Sequence, residues 1–184
     1  MRPQLKLVAG AEDASQRADG ILAWKSQGCY AEGFGIVQQL PPKPTNFRVG
    51  ALIVRLSDDT IIAEGYTLEL PGNTHAEETC LMKLAEQYGT TEEKLSEVFN
   101  TPHALYTTVE PCFKRLSGKL PCVERVLRQK SWITQVYVGV QEPETFVGEN
   151  TGRKTLEDAG IEIRHVSGLE EEILKVATAG HVKE

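Results

Sequence analysis

The sequence predicts a layered α/β domain built on a mixed five-stranded sheet. After one N-terminal helical pattern come two adjacent β-rich runs separated by a short polar break, and four helical patterns then alternate with three further strand-like runs. A hairpin followed by alternating helix and strand puts helices on the faces of a mixed sheet. At 184 residues and 40% hydrophobic, the chain can bury such a core without disulfides or a metal staple, so any metal site would be functional.

The elements are expected in this order. Ala11, Ala14, Ala18, Ile21 and Leu22 recur at helical spacing and predict an amphipathic helix over about 11–27. Pro41, Pro42 and Pro44 break the chain into a loop too short to be a domain linker. The runs 49–56 (VGALIVRL) and 60–66 (TIIAEGY) flank Ser57-Asp58-Asp59 as a hairpin would. A helix is expected from near His75, because Leu81, Leu84 and Ala85 share a face. Residues 104–109 read as a buried strand, and Val123, Val126 and Leu127 mark the next helix. A strand over 133–140, a helix over 152–159, a short strand over 161–165 and a helix over about 169–179 complete a core of about 46–166 and its C-terminal addition. One domain over 1–184 is expected, with residues 181–184 frayed.

Charge narrows the partners. A net charge of -6 argues against a surface that tracks a long polyanion, so nucleic acid is not an expected partner. A small anion needs only a local basic cluster. The opening MRPQLKLVAG lacks signal-peptide architecture and no apolar run is long enough to span a bilayer, which together point to a cytoplasmic protein with no membrane partner. Under reducing conditions Cys29, Cys80, Cys112 and Cys122 are expected as thiols rather than disulfides.

Three short segments carry the chemistry: His75-Ala76-Glu77 at a helix start, Pro111-Cys112 after a strand, and Cys122 at the next helix start. Each alone is weak, since a lone His-x-Glu is ordinarily a solvated pair and a lone cysteine a small hydrophobe. Cys29 and Cys80 are read that way, and His103 and His165 as ordinary strand-flanking residues. Together, one imidazole and two thiolates supply three zinc ligands, His75, Cys112 and Cys122, and leave the fourth tetrahedral position to water. Glu77 then serves as the general acid and base. His-x-Glu followed by Pro-Cys and a second Cys is the signature of zinc base deaminases. The chain departs from it in spacing, with nine residues between Cys112 and Cys122 in place of two. Cys122 at a helix N-terminus has its thiolate favoured by the helix dipole.

The surrounding residues resemble the riboflavin-pathway diaminopyrimidine phosphate deaminases of the cytidine-deaminase superfamily. The resemblance lies in Asn46 to Val54 (NFRVGALIV), Gly65-Tyr66 with Gly72 and His75-Ala76-Glu77, Thr108 to Cys112 (TVEPC), the glycine-bearing stretch 148–152, and Leu156 to Ile161 (LEDAGI). It covers roughly residues 46–165. It implies a three-layer α/β/α cytidine-deaminase-like fold, a Zn2+ cofactor, a homodimer, and a phosphorylated pyrimidine as the small-molecule substrate. The segment between the cysteines lacks the histidine and the Thr-Pro pair of bacterial members, and no reductase segment follows Ala179. The chain is therefore similar to the separate fungal-type deaminase, either as a single enzyme or as a domain of a longer chain, and the ribitylamino compound is the expected substrate.

Substrate contacts are expected at Asn46, whose amide can face a pyrimidinone edge, at Ala76, and at Lys114 and Lys119 in the basic segment between the cysteines. The same zinc site would serve a cytosine, nucleoside or transfer-RNA deaminase, and a zinc-bearing module without activity is the rival from another class. The acidic balance weighs against the RNA substrate. Glu77 weighs against the inactive module, where a carboxylate beside an open position has no use.

Overall fold

Runs rich in β-branched residues start the sheet, Ile53-Val54 in the first strand and Thr60-Ile61-Ile62 in the second. The computed structural model describes residues 42–141 and 151–181, and the helix expected over about 11–27, Cys29 and residues 148–150 of the glycine-bearing stretch lie outside them. Strand β1 (Gly50–Arg55) turns through 56–59 into β2 (Thr60–Tyr66). Asp59 takes the left-handed backbone the turn needs, at φ 55°. Then come α1 (Ala76–Gln87), a 3-10 turn (Glu92–Lys94), α2 (Leu95–Val98) and β3 (His103–Val109). Helix α3 (Cys122–Arg128), β4 (Ile133–Val140), α4 (Gly152–Asp158), β5 (Glu162–His165) and α5 (Glu170–Ala177) follow.

The sheet order is β2-β1-β3-β4-β5. β1 is antiparallel to both β2 and β3, whereas β3–β4 and β4–β5 are parallel. Parallel neighbours need crossovers, and α3 and α4 provide them. Cys80, Leu81 and Leu84 of α1, Val123 and Val126 of α3 and Leu156 of α4 pack with Ile53, Leu105 and Val136 on one face. Helix α5 lies on the other, where a Cβ on Gly139 would sit 2.4 Å from Ile173 Cδ1. Helices on both faces give the three-layer α/β/α arrangement.

The sheet and its helices match the sequence expectation to within a residue or two at most ends. The 3-10 turn and α2 were not legible. They are short, and their one fully buried apolar side chain in common with the main core is Leu95, too little to set a period. His103 is not a flanking residue: it opens β3, is 1% exposed, and its Nδ1 lies 2.7 Å from the Thr101 carbonyl. His181 corrects the expectation of fraying at its own position, and residues 182–184 lie outside the described residues. Its ring packs edge-on against Phe47 at 4.8 Å, and its Nε2 donates to the Asn46 carbonyl at 3.2 Å. Among the described residues, no helix is long and apolar enough to cross a membrane.

Candidate active site

The start of α1 is held by its neighbours on both sides. Gly65 of β2 lets the helix approach the sheet, since a Cβ there would stand 2.5 Å from the Ala76 carbonyl oxygen. His75 caps the helix with extended backbone, and its N–H donates to the Glu78 carboxylate at 3.2 Å. Glu77 and Glu78 in the first turn complement the positive end of the helix dipole. Helix α3 starts at Cys122 after Pro121, whose φ of -64° suits a residue ahead of a helix. The free N–H of Cys122 donates to Cys112 Sγ at 3.4 Å.

These two helix starts and the end of β3 bring His75, Cys112 and Cys122 together, with ligand atoms all within 4.8 Å of one another. His75 Nδ1 lies 3.5 Å from Cys112 Sγ and 3.5 Å from Cys122 Sγ. Tetrahedral zinc bonds of about 2.3 Å to sulfur and 2.0 Å to nitrogen separate those atoms by about 3.5 Å, so the donor set fits the ion. Cys80 is apart from the cluster, buried, with its thiol donating to the Ala51 carbonyl at 3.4 Å.

Glu77 is 3% exposed, and its Oε2 accepts from Cys122 Sγ at 3.4 Å. Burial and then the nearby Cys112 charge push its carboxyl up from the ordinary carboxylate range. The two thiols diverge. The hydrogen bond with Cys122, helped by His75, brings Cys112 down to about 4, while the same bond and burial push Cys122 up. The thiolate expected to be favoured at Cys122 by its helix start is thus opposed by the hydrogen bond with Cys112 and by burial.

A cleft opens over the cluster, at the carboxyl end of β3, where ligands of α/β sheets are commonly bound. His75, Glu77 and Cys112 form its floor. Thr45, Asn46, Phe47 and His181 form one side, and Lys114, Arg115, Leu116 and Ser117 another.

The model of the cytidine and deoxycytidylate deaminase zinc-binding region matches residues 34–140. The chain belongs to this deaminase family. It is 36% identical over 140 residues, 76% of its length, to the Schizosaccharomyces pombe diaminohydroxyphosphoribosylamino-pyrimidine deaminase, and spans 32% of that protein. A crystal structure of Aspergillus oryzae Rib2 deaminase in complex with DARIPP superposes with a TM-score of 0.73 at 44% identity, covering 82% of this chain and 88% of that one. Acinetobacter baumannii RibD matches with a TM-score of 0.59 at 26% identity, over 85% of this chain and 37% of that one.

Within this deaminase fold, the candidate substrate residues separate. Asn46 faces the cleft, its Nδ2 donating to Asn73 Oδ1 at 3.0 Å. Lys114 lines the cleft and is exposed. Lys119 does not line it and instead donates to the Gly72 carbonyl. Ala76 is fully buried beneath the floor. Arg115 lines the cleft yet is 7% exposed, with Nη1 2.7 Å from Glu78 Oε2 and Nη2 donating to the Asn73 carbonyl. Phe47, Asn73 and His181 went unread as site residues. They lie on loops and near the last described residue, where no periodicity marks a facing side chain.

Proposed function

We propose that the chain is a zinc-dependent hydrolytic deaminase acting on 2,5-diamino-6-ribitylamino-4(3H)-pyrimidinone 5'-phosphate in riboflavin biosynthesis, with release of ammonia. The observation that carries the chemistry is a buried Glu77 carboxylate against the His75, Cys112 and Cys122 cluster, in the lining of an open cleft. The substrate assignment rests on the similarity to the fungal relatives and on the basic rim.

His75 Nδ1, Cys112 Sγ and Cys122 Sγ would hold the zinc. Bound there, zinc acts as a Lewis acid that lowers the pKa of water to about 7. Glu77 Oε2 takes one proton from the attacking water and gives it to the ring nitrogen, where it stays, then takes the second from the resulting hydroxyl and gives it to the departing amine. One water is consumed, the exocyclic C–N bond breaks, and a ring carbonyl and ammonia result. Asn46 and Asn73 offer amide groups to the pyrimidinone edge, while Phe47 supplies an apolar wall. Lys114 is the rim cation that meets the phosphate. A homodimer in the cytoplasm belongs to the same proposal, and sedimentation tests the dimer.

The test is ammonia release by zinc-loaded protein from a panel holding the phosphorylated ribitylamino compound, its dephosphorylated form, cytosine and cytidine. Turnover of the first well above the rest is expected. Preference for cytosine or cytidine would overturn the substrate and leave a deaminase.

A further inference from the structure

We infer that Arg115 is a positioning residue that sets the segment between the two cysteines as a wall of the cleft; the inference rests on the proposed deaminase activity. Nine residues separate Cys112 from Cys122, and an insertion of that size between two ligands would ordinarily loop out into solvent. Here it is pinned back onto the approach to α1 at three points. Arg115 Nη1 pairs with Glu78 Oε2 at 2.7 Å, Arg115 Nη2 donates to the Asn73 carbonyl, and Lys119 donates to the Gly72 carbonyl.

The pin is buried: the side chains of Arg115 and Glu78 are 1% and 5% exposed. Glu78 stands beside Glu77 in the chain and accepts the His75 N–H at 3.2 Å, so the carboxylate that fixes the loop also fixes the helix cap carrying the metal site. Arg125 of α3 takes the other oxygen, Oε1, at 2.8 Å and pairs with Glu92. One carboxylate therefore ties together the α1 start, the α3 helix and the inserted loop. Burial by itself would raise the Glu78 carboxyl, but the Arg115 hydrogen bond, the His75 N–H and the Arg125 charge outweigh it and hold it ionised.

The two arginines differ in what they hold. Arg125 is away from the cleft, whereas Arg115 sits between Lys114 and Leu116 in the rim. Leu116, 76% exposed, and Ser117 follow directly. Fixing the guanidinium fixes the backbone that carries Lys114, Leu116 and Ser117, which line the same cleft as Glu77. A planar fork reaching two acceptors does this; an ammonium reaches one at a time.

The experiment compares Arg115→Ala, Arg115→Lys and Arg125→Ala in zinc-loaded full chain, reading KM, kcat, zinc content and tryptic cleavage after Lys114 and Lys119. Arg115→Ala should raise KM by roughly 10-fold or more, the scale of a lost charged hydrogen bond, while kcat stays within a few-fold and zinc stays near one per chain. Arg115→Lys should fall between it and the parent. Arg125→Ala should lose stability without the rise in KM. An unchanged KM in Arg115→Ala, an equal rise in Arg125→Ala, or joint loss of zinc and kcat would overturn the inference. If Arg115→Ala yields no folded protein, Arg115→Lys decides: a raised KM with kcat intact supports the pin and an unchanged KM overturns it. The tryptic readout is independent of turnover. Faster cleavage in Arg115→Ala, with a parent inactive on every aminopyrimidine, would sink the deaminase reading and leave the loop pin standing.

Discussion

Glu77 Oε2 stands 3.4 Å from Cys122 Sγ, although 45 residues separate them in the chain. A carboxylate so near a candidate ligand, and so little exposed, is placed to move protons rather than to bind the ion with the other three.

Glu77→Gln should keep about one zinc per chain and lose turnover. The amide cannot shuttle protons, and the imidazole and both thiols are untouched. General acid and base loss predicts roughly 10² to 10⁴-fold, at the upper end or beyond because one group serves several transfers. Steady-state kinetics with elemental analysis checks both halves. A variant within tenfold of the parent removes Glu77 from the role, and metal-free protein with full activity removes zinc.

Lys114→Ala should raise KM for the phosphorylated substrate by roughly 10 to 150-fold, the range of a charged hydrogen bond, and leave the dephosphorylated compound nearly unchanged. Lys119→Ala should have the smaller effect, because its ammonium is committed to the Gly72 carbonyl. Equal behaviour of the two compounds with both variants would mean that the rim cations do not meet a phosphate.

His181→Ala should raise KM by about 2 to 12-fold with kcat little changed. It removes a hydrogen bond to the Asn46 carbonyl and an edge contact with Phe47, both in the cleft wall. Substrate saturation curves decide it, and an unchanged KM would return His181 to a tail residue.

Gly65→Ala should destabilise the fold by about 1 to 3 kcal/mol, since the new methyl would meet the Ala76 carbonyl at 2.5 Å and push α1 off the sheet. Thermal unfolding measures this. Zinc affinity should fall with stability, because the displaced helix carries His75; a variant as stable as the parent would show that the helix start yields without cost.

How much of this was legible depended on the length scale of the signal. The hairpin and the alternating strands and helices were readable because apolar periodicity is local, and Ile133–Val140 and Thr60–Tyr66 run as expected. The short turn and helix of 92–98 were not, because a single turn buries too few side chains to leave a period. The cluster of His75, Cys112 and Cys122 was legible as a motif from residue types and their placement at two helix starts and a strand end.

By itself the sequence determined the order of the strands and of the longer helices and the α/β class, through local periodicity, and the candidate ligands with the carboxylate among them, through residue types placed at two helix starts and a strand end. Only the tertiary structure decided which cation faces the cleft and which is committed elsewhere. Lys114, Arg115 and Lys119 read alike as a basic segment, yet one lines the cleft exposed, one is buried on Glu78 and one holds the Gly72 carbonyl. The same holds for His181, brought beside Asn46 across 135 residues of chain. A charge on a loop carries no periodicity, and its partner is chosen by which distant backbone groups the packed helices leave within reach of its side chain.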